Sequence, residues 1–170
     1  MIQCYAQGAR ISKCNQYRYD LRRFWGKAPF CLWVMLNPST ADANVNDRTI
    51  SKIMGFSERW GFGGLVVVNL FAFRSTDPER LPYVTDPIGP DNDKYILGWV
   101  AKPEISRVFV GWGAYGKLQD RGLQVGRMLQ AAGAEMWCLY VNGDGHPKHP
   151  LYVANDTAPK LWQPGRIRED

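Results

Sequence analysis

Four short, continuous apolar runs, at residues 30–36, 65–70, 108–110 and 136–141, constrain what this chain can fold into more than any other feature. Each is too short for an ordinary helix and is bounded by proline, glycine or asparagine, the pattern of strands buried on both faces. Between them the spacing turns helical. Ile50, Ile53, Met54, Ser57 and Trp60 fall on one face, with Asn46 or Asp47 placed as cap and Gly61 as stop. Asp91 or Asn92 opens a second helix toward Val100 that Lys102-Pro103 ends, and Leu118, Val125, Leu129 and Ala132 mark a third, closed by Gly133. Residues 74–90 hold four prolines and read as a loop. The resulting order, β-α-β-α-β-α-β, predicts an α/β fold with a mostly parallel sheet and helices on both faces.

Ahead of this unit, residues 9–24 alternate: Tyr17, Tyr19 and Leu21 against Arg18, Asp20 and Arg22, with a turn at Asn15-Gln16. This predicts an antiparallel hairpin with a polar face in solvent. At 170 residues the chain fits one domain. The expected division is an N-terminal hairpin extension at 1–29, an α/β/α core at 30–153 and a C-terminal tail at 154–170. A content of 45% hydrophobic and 22% charged residues excludes intrinsic disorder. With no apolar run of the roughly 18 residues a membrane span needs, and no apolar leader, a cytoplasmic location is expected. Cys31 and Cys138 sit in apolar runs and read as buried thiols, and no cysteine spacing suits zinc.

Two compositional numbers bear on function. The formal net charge of +5 permits a polyanionic partner without requiring one, and 13% aromatic residues, seven of them Trp, is more than the core obviously needs. Some rings, among them Phe71, Phe73, Trp112 and Tyr115, are expected to serve a ligand.

In open parallel sheets ligands bind beyond the carboxyl ends of the strands, where the strand order reverses. The polar and glycine-rich clusters of this chain all follow strands. Asn37 and Ser39 lie in Leu36-Asn37-Pro38-Ser39-Thr40-Ala41-Asp42. There Asn37 offers both acceptor and donors to a water or a base edge, and Asp42 has no evident structural role. Asp47 is read first as a helix cap. Asn69, Phe71, Phe73 and Arg74 follow the second run and supply an amide, two rings and a guanidinium, suited to binding and stacking a flat heterocycle. Gly111, Gly113 and Gly116 spell a G-x-G-x-x-G pattern, but its intervening residues are bulky and it follows the third buried strand, so no dinucleotide cofactor is expected. The last cluster, Gly145-His146-Pro147-Lys148-His149-Pro150, holds both histidines. Its prolines rule out a helix, so the loop is expected to deliver one imidazole, His146 or His149, together with Lys148, to the rim; no metal site is assigned.

The stretches LNPSTADANVNDRTI, WGFGGLVVVNLFAFRSTDP and GHPKHPLYV resemble a bacterial and phage family of uncharacterised proteins, a domain of unknown function with an L-N-P-S-T-A-D signature. More remotely, the ordered motifs are similar to the uracil-DNA glycosylase superfamily, above all its mismatch-specific branch. They comprise a strand ending in Asn37-Pro38, a later strand followed by Asn69-Leu70 and an Arg74-containing segment, Val108-Phe109-Val110-Gly111 with Ala114-Tyr115, and a final His-Pro loop. That resemblance implies a three-layer α/β/α sandwich with a four-stranded, mostly parallel sheet, to which the hairpin is added. It implies that Asn37 positions an attacking water, that Asn69 lies near a base pocket, that Phe71 stacks on the base, and that His146 or His149 stabilises the departing base anion.

Three functions follow as expectations. The first is an N-glycosidase acting on a modified or mismatched base in nucleic acid or nucleotide, with Asn37, Asp42, His146 and His149 as candidate catalytic residues and Asn69, Phe71, Phe73, Arg74 and Ser39 around the base. The second is a non-catalytic base- or nucleotide-binding module in which Arg10, Lys13, Arg18, Arg22 and Arg23 of the hairpin, with Lys148, contact phosphates. The third is a nucleotide hydrolase with a divalent ion held by Asp42, Asp47, Asp144 and the histidines.

Overall fold

The computed structural model describes residues 1–166. Its seven strands are β1 (Ala6–Ile11), β2 (Arg18–Phe24), β3 (Phe30–Met35), β4 (Gly64–Asn69), β5 (Ile105–Val110), β6 (Met136–Cys138) and β7 (Lys160–Trp162). The α-helices are α1 (Arg48–Arg59), α2 (Asn92–Val100) and α3 (Arg121–Ala131). All strands form one sheet in the order β1-β2-β4-β3-β5-β6-β7. β3 runs parallel to β4 and β5, and β5 parallel to β6, while β2 against β4 and β7 against β6 are antiparallel.

The apolar runs explain this order. Leu32, Val34, Val66, Val68, Val108 and Val110 face one way, against Ile96 of α2 and Val125 and Leu129 of α3. Cys31, Trp33, Leu65, Val67 and Phe109 face the other way, against Ile50, Ile53 and Met54 of α1. Both faces are covered, so neither needed a polar alternate residue. Each such aliphatic side chain contributes about 1.5–3 kcal/mol by leaving water. The rings mostly serve this packing: Trp33 stacks on Phe109 with centroids 4.8 Å apart, and Phe109 lies 4.8 Å from Trp60. Cys31 and Cys138 are buried as expected, the first thiol pushed up to about 12 and the second to about 11 by burial.

Two expectations need correcting. The hairpin is part of the sheet, because β2 pairs with β1 on one side and β4 on the other. Three polar residues of β2 are therefore not solvated: Arg18, Asp20 and Arg23 are buried, while Arg10, Lys13 and the turn residues stay exposed. The four-stranded sheet expected from the resemblance is a seven-stranded one. The tail contributes an edge strand, β7, whose three residues are too few to show a periodicity, although Trp162 on it is buried in the core. The rest of the expected tail, 167–170, lies outside the described residues. No helix among the described residues is long and apolar enough to cross a membrane.

β3 is the switch point. The chain leaves it through α1 to β4 on one side, then crosses back through α2 to β5 on the other, which places α1 and α2 on opposite faces and opens a crevice at the strand ends.

Candidate functional site

A cavity of about 510 Å³ lies at that crevice, within the size range of ordinary small-ligand pockets. All four parallel strands supply its wall: Asn37 and Ser39 after β3, Asn69 at the end of β4, Trp112 and Tyr115 after β5, Asn142, Lys148 and His149 after β6. Arg18 from the hairpin and Asp47 at the start of α1 complete it.

The loop after β3 is fixed at both ends. The Asn37 amide donates to the Ser75 carbonyl at 2.8 Å and the Pro38 carbonyl at 3.1 Å, while the Ser75 amide donates to the Pro38 carbonyl at 2.9 Å. With its NH₂ so committed, Asn37 has Oδ1 left as an acceptor for a water or ligand. Farther along, two buried arginines grip the loop by its main chain. Arg18 Nη1 donates to the Ala41 carbonyl at 2.6 Å, Arg23 Nη2 to the Asp42 carbonyl at 2.6 Å, and Arg23 Nε to Asn46 Oδ1 at 2.7 Å.

Asp47 caps α1, Oδ1 accepting the Ile50 amide at 2.8 Å, yet it also lines the cavity. Its cap role and its place in the wall are compatible, because a carboxylate has a second oxygen to present. The end of β4 is held from behind by Asn92 Nδ2, which donates to the carbonyls of Asn69 and Leu70 at 2.8 and 3.1 Å, and by Arg121 Nε, which donates to that of Leu70 at 2.9 Å. The Asn69 side chain is itself buried with Nδ2 unpartnered. A buried amide donor without an acceptor costs about 1–3 kcal/mol, so one at a cavity wall marks a place for an acceptor.

The glycine pattern serves the packing of this rim. Gly113 has φ +75°, donates its amide to the Pro147 carbonyl at 2.8 Å, and lies so close to His149 that a Cβ would meet the His149 Cβ at 3.4 Å. A Cβ on Gly116 would lie 2.1 Å from Trp112 Cδ1. The motif that spells a dinucleotide fingerprint thus lets the β5 loop close onto Trp112 and the histidine loop.

The two histidines divide. His146 is buried and accepts a hydrogen bond on Nδ1 from Trp112 Nε1 at 3.1 Å; it does not line the cavity. His149 does. Its Nδ1 accepts the Leu151 amide at 3.2 Å, capping the short turn Pro150–Tyr152. Burial pushes this imidazole down to about 4, against the opposing pull of Asp47. It is neutral near pH 7, and since Nδ1 is an acceptor the proton sits on Nε2, a neutral donor for the ligand space.

The structure brings together Asn37, Ser39, Asn69, Lys148, His149 and Arg18 from the sequence-based candidates, and leaves others outside the lining. Asp42 is occupied structurally, contrary to expectation. It accepts the amides of Asn44 and Val45 at 2.8 and 2.9 Å in a tight turn, which lowers its pKa. Phe71 is fully buried in the core and has no face for a base, and Phe73 packs edge-on against Tyr17. Arg74 Nη1 donates to Asn15 Oδ1 at 2.6 Å, pinning the hairpin turn. The proposed phosphate contacts of the hairpin are largely committed internally: Arg10 stacks over Tyr95, Arg22 pairs with Asp20 at 3.3 Å, and Arg18 is buried in the cavity wall, leaving Lys13 exposed near the turn. Among the described residues no three His, Cys, Asp or Glu side chains gather as metal ligands, so Asp42, Asp47, Asp144 and the histidines do not form the expected ion site. Arg18, expected at a phosphate, and Asp47, expected as a cap or an ion ligand, both line the cavity, whereas Thr49, Thr76 and Tyr152 in the same wall carried no signal in the sequence.

No curated protein and no solved structure matches the chain. A family model does match, over residues 18–151, and so covers the whole cavity wall apart from Tyr152. The chain belongs to the family described as protein of unknown function (DUF1643).

Proposed function

We propose that the cavity recognises a nucleobase and that the protein is an N-glycosidase releasing a modified or mismatched base from nucleic acid or nucleotide, on an architecture like that of the uracil-DNA glycosylases. The observation that carries this reading is the neutral His149, with Nε2–H as its free donor, on the same wall as Asn37 and Asp47. A departing base leaves with the electron pair of the glycosidic bond, and a preorganised neutral donor in a water-poor site stabilises that anion as it forms. Water, accepted by Asn37 Oδ1 and by the Asp47 oxygen not used for capping, attacks the sugar carbon. Its oxygen bonds to that carbon, the carbon–nitrogen bond breaks, and the water proton passes through Asp47 to the base. Asn69 Nδ2 donates to an acceptor on the ligand, and Tyr115 offers ring surface.

The test is direct. Oligonucleotides and free nucleotides carrying uracil, hypoxanthine and a panel of substituted pyrimidines are incubated with the protein, and released base and abasic sugar are measured. The expected result is release from at least one substrate, lost in Asn37→Ala and His149→Gln. If every substrate stays intact while bases or nucleotides still bind, the protein is a binding module, the second reading that the same wall supports.

A further inference from the structure

Arg18 is an unusual side chain to find at the back of a cavity. It is 2% exposed, and neither ion pair among the described residues, Arg22 with Asp20 and Arg121 with Asp93, includes it. A buried cation without a carboxylate partner is costly unless something else compensates it. One of its three nitrogens is used, Nη1 on the Ala41 carbonyl. Nε is buried with no hydrogen-bond partner, and Nη2 has none either among the described residues. Those two nitrogens form one edge of the guanidinium, the fork that accepts two oxygens side by side. Asn69, 1% exposed on the same wall, holds a second unpartnered donor, Nδ2. The charge of the lining has the same sign: Arg18 and Lys148 stand against Asp47 alone, with His149 neutral.

We propose that the Nε–Nη2 edge of Arg18, with Asn69 Nδ2, is the seat of an oxyanion, so that the natural ligand is a small molecule with a terminal phosphate or carboxylate. A neutral base edge would satisfy the donors but leave the buried charge opposed only by Asp47 and Asp20, neither close enough to form an ion pair with it. An internal phosphodiester continues into sugar on both sides, whereas a seat this buried admits a group attached at one end. Taken with the proposed function, on which this second step rests, the substrate is a free nucleoside 5′-monophosphate.

Binding to the full-length protein is measured by calorimetry at fixed ionic strength, with inorganic phosphate, ribose 5-phosphate, succinate, the common nucleosides and their 5′-monophosphates. The expectation is that monophosphates bind at least about tenfold more tightly than their nucleosides. Arg18→Lys, which keeps the charge and loses the fork, should lower affinity for phosphate-bearing ligands about tenfold more than it lowers affinity for the corresponding nucleosides. Equal affinity for nucleoside and monophosphate overturns the seat while leaving the base-binding reading intact. Ribose 5-phosphate binding as well as any nucleotide upholds the seat and removes the base reading. Succinate outcompeting every phosphate upholds the seat but makes its ligand a carboxylate, excluding nucleotides. No binding by any oxyanion overturns the proposal. Should Arg18→Lys fail to fold, the comparison of nucleoside with monophosphate on the wild-type protein decides alone.

Discussion

His146 and His149 leave the same loop three residues apart, and both accept a hydrogen bond on Nδ1, yet they belong to different parts of the molecule. His146 takes its bond from a buried indole, with the neighbouring Gly145 carbonyl accepting from Trp162 Nε1 at 2.9 Å, so its end of the loop is riveted into the core. His149 takes its bond from the backbone amide two residues on, within its own turn, and lines the cavity. The difference bears on the role proposed for His149: its orientation is fixed locally, by a backbone amide of its own turn, while the core contact is made by another residue. Pro147 and Pro150 keep the two imidazoles from sharing a helical face.

This contrast can be broken experimentally. The largest effect expected is on activity: His149→Gln should slow base release by about a hundredfold to a thousandfold, the usual consequence of losing a preorganised donor, with the thermal midpoint nearly unchanged. Equal losses of activity in His146→Gln and His149→Gln would abolish the distinction. Next is His146→Ala, which leaves Trp112 Nε1 unpaired and a void beside it, and should cost about 2–4 kcal/mol in urea unfolding. A third effect concerns pH. His149 has a folded pKa of about 4 against an ordinary 6.5, so the unfolded chain takes up the proton first on acidification. The stability contributed by the neutral ring is complete above about pH 6.5 and is lost as pH falls toward about 4, a slope on the order of 2 kcal/mol after allowance for the ring's residual exposure. Comparing unfolding of wild type and His149→Gln across that window should show this slope in the first and not in the second. The smallest effect is that of Asp42→Ala, which removes two turn hydrogen bonds and should cost about 1 kcal/mol or less without altering base release.

Much of this architecture is legible in the apolar runs, because a strand covered on both faces has no reason to alternate and cannot be confused with an amphipathic one. The caps at Asp47 and the stops at Gly61 and Gly133 are local chemistry and fall where the sequence puts them. What fails is any inference that needs to know what lies across a face. Alternation in 17–22 suggests one solvated side, but β2 is docked between β1 and β4 and both sides are covered, so Arg18 becomes a cavity residue. Phe71 follows a strand end, where the chain could have faced the rim; Asn92 and Arg121 instead tie the strand's last carbonyls inward. Asp47 fills its expected cap and also lines the cavity, but without the companion carboxylates that an ion site would need. The choice between His146 and His149 depends on Trp112, 34 residues away from the first of them, and no spacing rule reports that contact.

The grip of Arg18 and Arg23 on the loop after β3 has an evolutionary consequence. Both read carbonyl oxygens at Ala41, Ala43, Asp42 and Val45, groups that every amino acid carries. The path of the loop is therefore dictated largely from a strand some twenty residues upstream, while the side chains at Ala43 and Val45, gripped only by their carbonyls, are left open. A lineage can exchange those side chains one at a time, and so retune what the rim accepts, without having to reinvent the shape that holds Asn37 and Asp47 in place. The family match begins at Arg18, so the strand that sets the path and the loop that follows it are carried within the same heritable unit.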